Sequence, residues 1–202
     1  MSYKLQIFAF LFLMLGPFKI VVPFAKITGN ATPAFSRKIA YLATLYSTVA
    51  LLIAGLLGQR ILSNYGIPVP ILALSGGIIL FLVALLNVIK QFEPHAAEMK
   101  FEDNPTINMA MNPLAFPSIV TPYGIAAVIV FLSIAPDLNT KLTVAGVVLG
   151  IMVLNLVVML LTRYIYKPLA LILGLLGAIL GVIQVALGLM VIYNQIKTLV
   201  AV

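Results

Sequence analysis

Cysteine is absent from this sequence, acidic residues number five against 12 lysines and arginines, and charged side chains of all kinds make up 8% of the 202 residues. Each shortage excludes something. Without a thiol there is no disulfide, no thiolate metal ligand and no thiol–disulfide relay. With 63% apolar and so few charged residues, the chain has more apolar surface than a soluble core absorbs, since soluble domains carry about a quarter charged residues. The one histidine, His95, stands with Glu93 and Glu98 in a charged stretch, too small a set for a metal site. No phosphate-binding loop and no nucleophile paired with a base is visible, so nothing points to an enzyme or to a cofactor.

What the chain does have is long apolar runs. They are apolar on every side, separated by Gly, Pro, Asn and charge, and place membrane helices at about residues 5–24, 39–58, 67–89, 112–135, 141–161 and 168–193, each near the ~20 residues that cross a bilayer. Ten-residue alternation of apolar and polar residues, the mark of a membrane barrel, is missing. The first run lacks a small-residue cleavage site and reads as a span rather than a secretory signal. The fold class expected is all-α: one polytopic membrane domain over residues 1–202, with a first repeat at about 1–90, a charged loop at about 90–111 and a second repeat at about 112–202.

The net charge of +7 belongs to short loops, which fits the positive-inside effect and not nucleic acid. Lys26, Arg37, Lys38, Lys90, Lys100, Arg163 and Lys167 fall in the odd loops, against Lys4, Arg60, Lys141 and Lys197 at the termini and even loops. The excess places the odd loops in the cytoplasm and both termini outside an integral plasma membrane, the inner membrane of a bacterium or archaeon.

Two halves of three spans each are discernible. Gly16, Pro17 and Pro23 interrupt span one, and Pro113, Pro117, Pro122 and Gly124 interrupt span four; Leu74–Leu80 can be laid on Leu175–Gly181. An odd number of spans per half makes such halves inverted repeats. Proline removes a donor and clashes with the preceding turn, so clustered prolines free carbonyls that lipid cannot satisfy. Broken spans in matching positions point to a binding site at mid-depth, with half-helix N–H groups for anions and carbonyls for cations.

Polar residues near these breaks are candidate substrate contacts: Asn112, Ser118, Thr121 and Tyr123 in span four, Ser75 in span three and Gln184 in span six. Singly, each also suits a bridge between helices. Lys19 is the one charge inside a span. It is either a fixed cation, pairing with a substrate carboxylate or standing in for a coupling cation, or a side chain snorkelling to the nearby interface, the reading its position favours. All five acids lie in loops, which argues against a proton relay and for Na+ held by carbonyls and hydroxyls, or uncoupled exchange. Glycines 76, 77, 174, 177, 181 and 188 suit close helix packing.

The run Asn108 to Gly124, NMAMNPLAFPSIVTPYG, resembles the second-half signature of the MarC family of six-span membrane proteins, and Gly16–Pro17 through Pro23 resembles that family's first-half asparagine–proline motif. Tyr65–Pro68 leading to Gly76–Gly77 is similar to its approach to span three. The sequence departs from the pattern at Gly16, Thr121 and Tyr123, where the family carries asparagine, glycine and glycine, and at Ala73, where arginine is frequent. The resemblance implies transport of small neutral amino acids such as glycine or alanine. The expected partners are a small zwitterionic solute and the lipid bilayer, with a homo-oligomer left open. A LysE-type exporter of another small metabolite, and a passive channel or structural membrane protein, are the alternative readings.

Overall fold

The structure, a computed structural model, describes residues 3–90, 102 and 104–201, and among these it holds no strand. Helix α1 (Tyr3–Leu15) and helix α2 (Phe18–Thr28) make one interrupted span, Ile7–Thr28. At 1.5 Å per residue its 22 residues cover about 33 Å, matching a hydrocarbon layer of about 30 Å.

Helix α3 (Pro33–Asn64) starts where Thr32 caps it, its Oγ1 accepting from Phe35 N at 3.3 Å, with Pro33 in the first turn, where its missing N–H costs nothing. It ends at Gly66, whose φ of 62° is the left-handed value this cap needs. Ile67 N then reaches Leu62 O at 2.9 Å and Gly66 N reaches Ser63 O at 3.2 Å, and Pro68 prevents continuation. These caps lie outside the apolar run, so the helix is longer than the 39–58 expected from hydropathy.

Helix α4 (Val69–Lys90) follows. The fourth span begins at Ile107, earlier than the 112 expected, runs irregularly to Ile119 and meets helix α5 (Pro122–Ile134) at 62°. Glu102 N donates to Lys26 O at 2.8 Å, which sets the end of the third loop beside the first. The charged-loop residues Glu93, His95, Glu98, Lys100 and Asp103 lie outside the described residues.

Helix α6 (Leu138–Val200) carries two apolar stretches long enough to span, Leu138–Tyr166 and Leu175–Val200. It cannot be a straight rod. Asn155 and Gln184 would stand about 43 Å apart along one, yet they donate to Leu15 O and Leu13 O, both at 2.8 Å, and carbonyls two residues apart are separated by about 7 Å at most. The chain therefore turns back between them, so five stretches are long and apolar enough to span on their own, and the bent pair Ile107–Ile119 with Pro122–Ile134, counted as one span, makes six.

Small residues let the spans close up. A Cβ on Gly76 would stand 2.8 Å from Ala126 Cβ, one on Gly77 2.8 Å from Val191, and one on Gly188 2.8 Å from the Phe81 backbone nitrogen. So α4 is seated between α5 and the last span. Gly177, expected to pack in the same way, has no neighbour within 4 Å of its added Cβ. The outer surface is apolar, with Leu56, Leu86 and Val153 more than half exposed; such a belt is stable against lipid and not against water.

Candidate functional site

The last turn of α1 leaves its carbonyls without helical partners. Leu13 O would accept from residue 17, but Pro17 has no N–H, and the break displaces the donors due to Met14 and Leu15. Three side chains take their places. Gln184 Nε2 donates to Leu13 O at 2.8 Å, Lys19 Nζ to Met14 O, and Asn155 Nδ2 to Leu15 O at 2.8 Å and to Ile151 O at 2.9 Å. Gly16 makes the corner possible, because a Cβ there would fall 2.0 Å from Phe12 O. Pro17 opens α2 with φ −73° and ψ −16°, and Pro23, within the same helix, withholds the N–H that would bond the Lys19 carbonyl.

The second break is built differently. Thr121 caps α5, its Oγ1 accepting from Gly124 N at 3.1 Å, with Pro122 first in the helix. Tyr123 is 95% buried, being 5% exposed, and its hydroxyl accepts from Lys19 Nζ at 2.9 Å; the same ammonium stands 4.8 Å from the ring centroid, within cation–π range. Gly124 closes the contact between breaks, since a Cβ on it would meet Leu15 Cδ2 at 2.6 Å. On the other arm of the bend, Asn112 and Phe116 are extended and Ser118 Oγ donates to Pro113 O at 2.8 Å.

The structure thus brings together Gly16, Pro17, Lys19, Thr121, Tyr123, Gly124 and Gln184. Pro122 belongs to the same break but is exposed. Ser75 is exposed and donates to its own helix at Ile71 O, 2.9 Å, away from the breaks. Asn112, Pro113 and Pro117 are exposed on the outer arm, with Ser118 half-buried beside them, and the backbone at Asn112 is extended. Lys19, which its position favoured as a snorkelling side chain, instead points inward, held by a freed carbonyl and a phenol. Asn155 was missed: an asparagine flanked by Leu154 and Leu156 in an otherwise apolar stretch was the available signal.

The junction is rich in acceptors and poor in charge. Asn155 Oδ1 is buried without a partner, and Lys19 forms no ion pair among the described residues. Among these residues no three of His, Asp and Glu stand close enough to hold a metal. Beside the junction a cavity of about 220 Å³ reaches from Met14 and Tyr123 to Gly76, Asn194 and Gln195. Drug-sized sites measure about 300–1,000 Å³, so this space suits a smaller solute.

The model of the MarC family of integral membrane proteins matches residues 1–200. The chain belongs to the MarC family. Among MarC relatives, the UPF0056 inner membrane protein MarC of Salmonella paratyphi A is 32% identical over 120 residues, 56% of this chain and 54% of that protein. The proteins of the same name from Citrobacter koseri and Escherichia coli O1:K1 are each 28% identical over 120 residues, with the same coverage. The aligned region spans about half the length of these curated MarC relatives. No solved structure matches the chain.

Proposed function

We propose that this MarC-family protein is a secondary transporter of small neutral amino acids of the glycine and alanine kind, working by alternating access around its two broken spans. The observation that carries the reading is the meeting of the breaks at Lys19, between Met14 O and Tyr123 Oη. A lysine ammonium there occupies the place a zwitterion's ammonium would take, and it has no carboxylate of its own. An entering amino acid supplies both missing pieces: its carboxylate draws Lys19 away from Met14 O, and its ammonium takes the place of Lys19 at the freed carbonyl and donates to the unpartnered Asn155 Oδ1. The solute is neutral overall, so its entry leaves the net charge at the junction at the single positive charge of Lys19 and adds one ion pair.

The 220 Å³ cavity beside Tyr123 supplies an approach on the side of the termini. The two three-span halves act as inverted repeats that rock about the junction. Inner-membrane residence follows the relatives' names, with the odd loops cytoplasmic by their excess of lysine and arginine. Since no acid lies within a span, coupling falls to Na+ or to plain exchange.

Counterflow in proteoliposomes tests the proposal. Vesicles loaded with alanine should take up labelled glycine saturably, and Lys19→Met should reduce this at least tenfold while eluting as folded protein. Absence of saturable counterflow with either amino acid, in correctly reconstituted protein, overturns the reading.

A further inference from the structure

A second and larger cavity, of about 550 Å³, opens where three spans end: the first at Thr28, the second at Pro33 and the fifth at Tyr166. It lies at the span ends opposite those that carry the termini, the level at which a bilayer enclosing these spans places its headgroups. Arg37 from α3 and Arg163 from α6 both line it, and among the described residues no acidic one does.

The two guanidiniums are uncommitted. Among the described residues Arg37 makes one long contact, Nε to Pro33 O at 3.4 Å, leaving both terminal nitrogens unpaired, and Arg163 has no partner. The hydroxyls of Thr28, Ser36 and Thr162, which also line the cavity, already donate to Phe24 O, Thr32 O and Val158 O. The donors left over are therefore mostly arginine forks, and a forked guanidinium matches an acceptor-only oxyanion, phosphate above all. Tyr164 and Tyr166 at the rim are residues that favour the headgroup level.

Arginines scattered at a membrane face would satisfy the positive-inside effect without any site. Here two of them, distant in sequence, face one concavity of a size that holds a headgroup. We propose that this cavity binds a phosphate-bearing anion, clamped between Arg37 and Arg163, either the headgroup of an anionic phospholipid or a soluble phosphate. The inference does not depend on the transport reading.

The test uses the full chain purified in lipid-free detergent, with phosphatidylglycerol, phosphatidylcholine and inorganic phosphate as probes, followed by native mass spectrometry and thermal unfolding. Wild type should hold phosphatidylglycerol at least tenfold more tightly than phosphatidylcholine, and Arg37→Gln/Arg163→Gln should lose that preference. Lys26→Gln/Lys38→Gln removes the same charge from the same face without touching the cavity lining, and should keep it. Competition by inorganic phosphate assigns the site to free phosphate; binding of the lipid alone assigns it to the headgroup. Should the double arginine variant fail to fold, Arg37→Lys/Arg163→Lys, which keeps charge but not the forks, should weaken binding severalfold. Equal loss in the arginine-to-glutamine and lysine-to-glutamine variants, an arginine variant that binds as wild type does, or a wild type indifferent to both phosphatidylglycerol and phosphate overturns the proposal.

Discussion

The first span crosses its break at Gly16 and Pro17 as a single 22-residue span, Ile7–Thr28, whereas the arms of the fourth, Ile107–Ile119 and Pro122–Ile134, meet at 62°. The chemistry of the two breaks differs as much as their shape. At the fourth span the polar groups freed by the break are served locally: Thr121 caps Gly124, Ser118 bonds Pro113, and Val120 N bonds Ala115 O at 2.8 Å. At the first span two of the three donors come from α6, more than a hundred residues away in sequence. The break of the fourth span is largely self-sufficient; that of the first leaves its carbonyls pointing at neighbours and needs the assembled bundle.

That contrast predicts unequal sensitivity. The largest effect is expected for Gly16→Ala, whose methyl would strike a backbone oxygen and should cost about 3 kcal/mol or more. Gly124→Ala meets the side-chain ends of Leu15 and Thr121, which can shift, and should cost about 1–2 kcal/mol. Thermal unfolding in detergent measures both, and equal losses would abolish the distinction. Next come Gln184→Leu and Asn155→Leu, each expected to remove about 1–2 kcal/mol, against about 0.5 kcal/mol or less for Ser118→Ala, whose bond is exposed. Thr121→Ala, losing a helix cap, should cost about 1 kcal/mol.

The smallest effect separates two caps by pH. Asp137 caps α6 and accepts from Thr140 N at 3.1 Å; the hydrogen bonds from Thr140 hold its carboxyl below the usual range. A depressed folded value stabilises above the unfolded carboxylate pKa of about 3.9 and is lost as pH falls through the lower folded value. Acid unfolding of Asp137→Asn should therefore lack a small component that wild type shows below about pH 4, while Thr121→Ala leaves that component intact.

The breaks were legible because proline states a backbone fact: a donor is missing wherever the chain goes. Which side chains answer it was not. Ser75 and Gln184 are both polar residues in apolar spans, yet Ser75 satisfies itself on the carbonyl one turn back while Gln184 reaches another helix. Serine is short enough to close on its own backbone, and a glutamine reaches further. Asn112, singled out for its neighbour Pro113, stands exposed on extended backbone. Lys19 was judged by distance to the span end, a criterion blind to the carbonyl and phenol that hold it.

Carbonyls on successive residues of a helix point about 100° apart around its axis. Donors to Leu13, Met14 and Leu15 must therefore arrive from three sides, and they do, from two stretches of α6 and from α2. The tip of α1 stands as on a tripod: leaning toward any leg lengthens another. Such a tip either stays where it is or lets go of several partners together, so any rearrangement there is a concerted step and not a gradual slide.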